Sequence, residues 1–338
     1  MEDMKVLIYF EGENIIKKSG IGRAMRHQME ALTSAKVNFT TNKKDTFNLA
    51  HINTYGFNSK RLLRKCKRKN IPVIVHGHST FEDFRNSYRA WQFLALFYNS
   101  WLKYMYSRAD LIVTPTLYSE NLIKSYGYDV PVTNLSNGLN VEEYKPSEDK
   151  VKQFKDHFKI TDEKVIIGIG FLFERKGIRD FIEVARAFPD IKFIWFGHLS
   201  WLLRQSKVNK AIRRKPDNVI LPGYIANDII KGAMQYAEML FFPSNEETEG
   251  IVVLEGLASK IPVLVRDIGV YEDWLKDGEN AYKARNNQEF IEKIKYIIHN
   301  DNSQVIKNGY QTAMDRDLSI IGQKLKKIYE GVRKKHVK

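Results

Sequence analysis

Short apolar runs of three to six residues alternate along this chain with longer stretches in which apolar positions recur every three or four residues. Runs of that length fit strands buried on both faces, and the longer period fits amphipathic helices, so the alternation predicts a parallel sheet with helices on both sides. The pattern occurs twice. In the first half it predicts strands at Lys5–Phe10, Leu49–Asn53, Pro72–His76, Leu111–Thr114 and Val132–Leu135, with helices over Gly22–Leu32, Ser59–Lys69, Arg89–Tyr106 and Ser119–Tyr126. In the second half the strands are Val165–Ile169, Lys192–Phe196, Val219–Leu221, Met239–Phe242 and Pro262–Val265, and helices begin near Gly177, Asn227, Gly250 and Val270. Between the halves, the polar run Tyr144–Asp149 and a helix over Val151–Phe158 mark the boundary. Three helical patterns, Glu289–His299, Ser303–Met314 and Leu318–Lys334, close the chain. The expected fold is α/β, with two Rossmann-like domains facing a cleft: 1–145, a linker region at 146–163, 164–315, and a last helix within 316–338 packing back on the first domain. In such open sheets ligands sit at the carboxyl ends of the strands, which directs attention to the strand-to-helix loops.

Composition narrows the class. The 338 residues are 43% apolar and 12% aromatic, enough for two cores, and carry 54 Lys plus Arg against 40 Asp plus Glu, a net charge of +14. That excess suits nucleic acid, anionic lipid or a phosphorylated small molecule. A single cysteine, Cys66, favours a reducing compartment, and the first apolar run is too short and wrongly flanked for a signal peptide. The longest apolar stretch, Ala90–Leu102, falls short of the roughly 20 residues that span a bilayer. The charge gathers in acid-free stretches. Thr46–Phe81 holds Lys60, Arg61, Arg64, Lys65, Lys67, Arg68 and Lys69. Ile191–Pro216 holds Lys192, Arg204, Lys207, Lys210, Arg213, Arg214 and Lys215. A third cluster closes the chain from Lys324 to Lys338.

The chemistry concentrates in Pro243–Gly256, where an apolar strand ends in Pro-Ser, an acidic loop follows and Gly250 opens an apolar helix. The unpaired N–H groups at such a helix start, here on Gly250, Ile251 and Val252, bind phosphate together with the positive end of the helix dipole. Glu247 lies in the loop and Glu255 one to two turns inside the helix, so both bracket one pocket. These residues resemble the E-x(7)-E signature of family 4 of the retaining glycosyltransferases, which have the two-domain GT-B architecture. Gly168-Ile169-Gly170 followed by Glu174-Arg175-Lys176-Gly177, the turns at Asn137-Gly138, Phe196-Gly197 and Pro222-Gly223, the loop Ser19-Gly20-Ile21-Gly22 and His78 after Pro72 extend the resemblance over nearly the whole chain. It implies transfer of a hexose from a UDP-sugar with retention, without a required metal or other cofactor. The 1–145 domain would bind the acceptor and the 164–315 domain the nucleotide sugar. Arg175 and Lys176 would neutralise the diphosphate, whose negative charge grows in the transition state, Glu255 would accept the ribose hydroxyls, and Glu247 would sit by the sugar. His78 is the family's active-site histidine by spacing, with His76 its competitor. Phe171 stands where many members carry an arginine, a role that falls to Arg175.

For the acceptor, a helix from Ser59 to Lys69 with Leu62, Leu63 and Cys66 on one side and seven cations around them has the composition of a helix lying on anionic lipid. The following segment is rich in aromatics: Tyr88, Trp91, Phe93, Phe97, Tyr98, Trp101, Tyr104 and Tyr106, with Arg85, Arg89 and Lys103. Glu11-Gly12-Glu13, Lys18–Ala24, His27-Gln28, His76–Thr80 and Glu82–Arg85 resemble bacterial synthases that add a second hexose to monoglucosyldiacylglycerol. The resemblance implies a glycosyl-diacylglycerol acceptor, an anionic membrane surface as partner, and a place on the inner face of the cell membrane. Two alternatives stand: a transferase of the same fold elongating a capsule, teichoic-acid or protein-linked glycan, and, more remotely, a nucleic-acid-binding protein, for which no recognition-helix, RNP-like or zinc-finger pattern is present.

Overall fold

The computed structural model describes residues 4–12, 20–84 and 91–337. They form two compact units. The first gathers 4–12, 20–81, 92–140 and 316–337; the second gathers 141–315 together with 82–84 and 91.

In the first unit, six parallel strands run in the order β2-β1-β3-β4-β5-β6. They are β1 (Lys5–Tyr9), β2 (Asn38–Thr40), β3 (Leu49–Ile52), β4 (Val73–His76), β5 (Leu111–Thr114) and β6 (Val132–Asn134). Alternation along each strand divides the core into two layers. Val6, Ile8, Leu49, Ile74 and Val113 face α1 (Gly20–Ser34) and the last helix, α12 (Leu318–Val337). Leu7, Tyr9, Ala50, Ile52, Val73 and Val75 face α2 (Phe57–Arg68) and α3 (Trp91–Tyr106). A fourth helix, α4 (Leu117–Ser125), is capped by Thr116, whose side chain accepts from the Ser119 N–H. The helix α12 packs on α1, and the approach is close enough that a Cβ at Gly322 would collide with the Ala31 carbonyl oxygen. The 316–337 segment is thus a structural part of a unit whose sheet lies nearly two hundred residues earlier.

The second unit repeats the plan with the order β12-β11-β10-β7-β8-β9. Its strands are β7 (Val165–Ile169), β8 (Lys192–Phe196), β9 (Val219–Gly223), β10 (Met239–Phe242), β11 (Val263–Arg266) and β12 (Tyr282–Ala284), all parallel. Helices α5 (Glu148–Phe158), α6 (Ile178–Ala185), α7 (Ser206–Arg213), α8 (Asn227–Tyr236), α9 (Ile251–Ala258), α10 (Asn287–His299) and α11 (Ser303–Met314) surround them. Phe181, Phe193, Trp195, Phe241 and Phe290 fill the centre of the core. The segment read as a linker is different in kind: α5 packs tightly on α8, where Gly232 lets the helix press against the Lys150 carbonyl.

Three local readings need correction. The helix expected near Val270 is a single 3-10 turn, Gly269–Tyr271, because Asn280 and Trp274 engage the following backbone in turns. The helix after β1 begins at Gly20, so Gly20, Ile21 and Gly22 form its first turn rather than a loop; Ser19 lies outside the described residues. The edge strands β2 and β12, three residues each, and the helix α7 carry too little pattern to be predicted.

Overfilling a packed helix contact costs about 1–3 kcal/mol. Gly322→Leu should therefore lower the urea midpoint of the protein clearly, whereas Gly331→Leu on the same helix, where a Cβ meets nothing within 4 Å, should leave it unchanged or raise it.

Candidate active site

In the second unit the chain order reverses at β7, whose neighbours are β8 and β10. The loops after β7 and β10 therefore leave the sheet side by side in opposite directions, which opens a crevice at their carboxyl ends. The two loops are bound to each other. Asn245 N–H donates to the Arg175 carbonyl at 2.6 Å, Ser244 Oγ lies 3.1 Å from the same oxygen, and Arg175 Nη1 donates to the Glu246 carbonyl at 3.0 Å. Gly177 is left-handed, with φ 78°, and any Cβ there would strike the Pro243 carbonyl, so only glycine fits.

This contact brings Lys176 and Glu247 together as a buried ion pair, with side chains 15% and 7% exposed. Glu247 also accepts from Ser244 Oγ at 2.7 Å. Burial alone would raise the Glu247 pKa, but the charges of Lys176 and Arg175 and the hydrogen bonds from Lys176 and Ser244 hold it below the ordinary carboxylate value. The carboxylate is therefore charged at neutral pH, with Lys176 as its counter-ion. Gly250, at φ 83°, turns the chain into α9, so the N–H groups of Ile251 and Val252 lie in its first turn, where helix geometry offers them no acceptor. Glu255 is buried on the same helix. Phe171 packs against the core of this unit and close to Phe173, so it has no part in holding an anion.

Sequence reasoning misses Tyr271. Its side chain is fully buried, and its hydroxyl has no hydrogen-bond partner among the described residues. It points at Gly250, where a Cβ would lie 2.8 Å from the oxygen. Burial first, then the charges of Glu247, Glu249 and Glu246, raise its pKa well above the usual phenol value, so it remains a neutral donor. A 3-10 turn after β11 carries it there, and no motif signals that placement. Among the described residues, no group of His, Cys, Asp and Glu is arranged to hold a metal ion.

In the first unit, three histidines from the ends of β3 and β4 stack in a row. Ring centroids of His76 and His78 are 3.8 Å apart, and those of His51 and His76 5.3 Å. The orientation of the Gln28 and Asn53 amides sets the histidine tautomers. The Gln28 amide and the Tyr329 hydroxyl meet His51 Nδ1, each at 2.8 Å, so that nitrogen accepts and Nε2–H donates to His76 Nδ1 at 3.2 Å. His76 Nε2 is then a buried donor without a partner among the described residues. His78 is set separately: Asn53 donates to Gln28 Oε1 at 2.8 Å, which turns its own Oδ1 toward His78 Nε2–H at 3.0 Å and leaves Nδ1 of His78 as the basic nitrogen. Asn53 and Tyr329 are buried positioning groups that no motif marked, and Gln28, which the sequence shows only as part of the resemblance at His27-Gln28, is a third. Glu11 is not among them, because its carboxylate accepts from the N–H groups of Asn58 and Ser59 and caps α2.

The basic helix is placed differently from its sequence reading. Leu62, Leu63 and Cys66 are buried in the core of the first unit, so α2 has no apolar side to offer a lipid. What remains outward is charge: Arg61, Arg64, Lys65, Lys67, Arg68 and Lys69 are exposed. Lys67 is held by Asp110 at 2.6 Å, and Lys60 lies over the rings of Trp101 and Tyr104 at 4.4 and 4.1 Å. Phe57, 71% exposed, leans edge-on against Trp101. Tyr106 is core. Arg85, Tyr88 and Arg89 lie outside the described residues, as do the side chains of Trp91, Phe93 and Phe97.

Comparison with known proteins agrees with this division. The sequence profile of Glycosyltransferase Family 4 matches residues 24–143, and that of Glycosyl transferases group 1 matches 149–312. The chain is 49% identical over 331 residues to the processive diacylglycerol alpha-glucosyltransferase of Acholeplasma laidlawii, covering 97% of this chain and 98% of the relative. It is 27% identical over 186 residues to the alpha-galactosylglucosyldiacylglycerol synthase of Streptococcus pneumoniae, 53% of this chain and 50% of that one. Among solved structures, Anabaena HepE in complex with UDP-glucose superposes with a TM-score of 0.78 at 16% identity, covering 97% of this chain and all of the other.

The buried histidines set an acid limit on stability. Burial lowers all three pKa values, His76 to about 3, although the Asn137 side chain opposes the shift there. Folded and unfolded chains are both neutral at these sites above about pH 6.5, so their contribution is complete there. As pH falls further the unfolded chain takes up protons that the folded one refuses, and stability is lost. Melting temperature should fall between pH 7 and 5, above the range where carboxylates titrate, and fall less steeply in His76→Asn. Equal slopes in the two proteins would show that the histidine row is not the cause.

Proposed function

The chain belongs to glycosyltransferase family 4, and from that premise we propose that it transfers a hexose, glucose or galactose, from a UDP-sugar to monoglucosyldiacylglycerol, forming an α-linked dihexosyl-diacylglycerol. The observation that carries this reading is the paired loop of the second unit, in which Arg175, Lys176 and the start of α9 converge beside Glu247. The acceptor follows from the relatives, whose names specify diacylglycerol and glycosyl-diacylglycerol lipids. Because one of them is named for diacylglycerol itself, both lipids belong in the assay.

The reaction is a front-face displacement with retention. The acceptor hydroxyl attacks the anomeric carbon from the side on which the diphosphate departs; the carbon–oxygen bond to phosphate breaks, and the hydroxyl proton passes to a diphosphate oxygen. Lys176 and Arg175 leave the carboxylate and carbonyl they now hold to neutralise the leaving group, while Ile251 and Val252 donate N–H groups to it with Gly250 allowing close approach. Glu255 accepts the ribose hydroxyls, Glu247 orders the hexose, and His78, with its tautomer fixed by Asn53, is the catalytic histidine of the first unit. Gly20, Ile21 and Gly22 give the first turn of α1 for a phosphate or acceptor oxygen. Tyr271 donates to the donor sugar nucleotide at the start of α9.

We place the enzyme on the inner face of the cell membrane, held to anionic lipid by Lys60, Arg61, Arg64, Lys65, Lys67, Arg68 and Lys69. No helix among the described residues is long and apolar enough to cross a bilayer, and exposed cations near an anionic surface contribute about 1 kcal/mol each. Nucleic acid has no role in this scheme.

Purified protein incubated with diacylglycerol or monoglucosyldiacylglycerol and each UDP-hexose in turn should yield a lipid heavier by one hexose. UDP release without any lipid product would overturn the acceptor. Lys176→Ala and His78→Ala should each cut turnover at least tens of fold in folded protein, and a larger loss in His76→Ala would transfer the role to His76. Tyr271→Phe removes an unsatisfied buried hydroxyl, so it should raise the melting temperature of the free protein and shrink the further rise on adding UDP. An unchanged UDP shift would remove Tyr271 from the donor site.

A further inference from the structure

The loop between β8 and α7 puts Trp201, Leu202 and Leu203 in succession on the surface, 64%, 57% and 49% exposed. Three adjacent large apolar side chains in water are unfavourable, and soluble surfaces rarely keep them without a use. The loop is held from beneath: Leu199 is buried in the core, Asn209 Nδ2 donates to the Trp201 carbonyl at 3.0 Å, and Val208 seats α7 on the same core. The three side chains are therefore presented outward by an ordered support.

Their surroundings are basic. The adjoining helix exposes Lys207, Lys210 and Arg213, Arg214 follows it, and no acidic residue occurs from Ile191 to Pro216. The guanidinium of Arg204, next to Leu203, has its Nε buried without a hydrogen-bond partner among the described residues. Tyr224, 68% exposed, leaves the same sheet edge one residue past the Phe196–Gly223 pairing of β8 and β9. Apolar tips ringed by cations match an anionic bilayer, in which the tips enter the acyl boundary and the cations meet headgroup phosphates.

We propose that Trp201, Leu202 and Leu203 form a membrane-inserting tip on the second unit, with Arg204, Lys207, Lys210, Arg213 and Arg214 as its headgroup contacts. The proposal rests on the reading that this enzyme works at an anionic lipid surface, and it adds a contact of different character. The α2 helix of the first unit offers charge without an apolar face, so its attraction is screened by salt. Burial of Trp201, Leu202 and Leu203 is not screened. The donor-binding unit would then be tied to the bilayer by a contact that persists when ionic strength is raised.

The test is vesicle flotation with the full chain, using phosphatidylglycerol mixed with phosphatidylcholine, at low and high salt. The triple variant W201S/L202S/L203S should lose at least tenfold in binding at high salt and less at low salt, while a variant neutralised at Lys65, Lys67, Arg68 and Lys69 should lose mainly at low salt. Tryptophan quenching by bromine-labelled acyl chains should be strong in the native protein and largely lost in W201F, a change too small to unfold a surface loop. Quenching that is equal in W201F overturns the insertion. Native protein that floats, with the triple variant floating equally at high salt, overturns it while leaving the membrane reading intact. Native protein that does not float at all defeats the membrane reading itself, and with it this tip. A shift from dimer to monomer on making the triple variant, with vesicle binding unchanged, would assign the patch to a second copy of the chain instead.

Discussion

The geometry of the proposed donor site depends on how closely two strand-to-helix loops can approach at the point where the second sheet changes direction. Gly177 touches the Pro243 carbonyl through a position where no side chain fits, and the hydrogen bonds from Asn245 and Arg175 follow from that contact. A larger residue at 177 would move the loops apart and separate Lys176 from Glu247. The ion pair is thus a product of backbone packing, and the desolvation that two buried charges incur is offset by hydrogen bonds from Ser244 and the nearby Arg175 charge. A pair held this way has its position set by backbone contacts between the two loops as well as by the attraction of its own charges.

The first unit uses neutrality where the second uses charge. Its histidines, glutamine, asparagine and tyrosine form one network that runs from Tyr329 and Gln28 through His51 and Asn53 to His76 and His78. Orientation of His78 is decided by an amide, Asn53, whose own orientation is decided by another amide, Gln28. Such a chain fixes tautomers without any ion, and so its geometry is insensitive to ionic strength.

The sequence made the repeated sheet legible because strands buried on both faces leave unbroken apolar runs, as in Val165–Ile169 and Met239–Phe242. Gly250 was legible as the start of a helix because a chain that enters a helix through the left-handed region needs a glycine there. The direction in which an apolar side chain faces was not. Leu62, Leu63 and Cys66 suggested a lipid contact and are core, while Trp201, Leu202 and Leu203 drew no notice and are exposed. Both sets are apolar beside cations; only the presence or absence of a sheet behind them separates the two cases. Tyr271 and Asn53 escaped for a related reason, since a polar group gains its role from a neighbour distant in sequence.

The contact of α12 with α1, and of Tyr329 with His51, bears on how the protein is made. Residues 141–315 must be synthesised between the sheet of the first unit and the helix that completes it. At about 5–20 residues per second, that sheet waits on the order of ten to forty seconds for its last partner. During that interval the part of α1 that α12 covers stays open and His51 lacks the tyrosine that helps set its tautomer. The second unit, contiguous apart from a short segment, can fold first. The nascent chain would therefore hold a formed donor site before its histidine row is complete, and the finished enzyme is assembled by closing its oldest domain with its youngest helix.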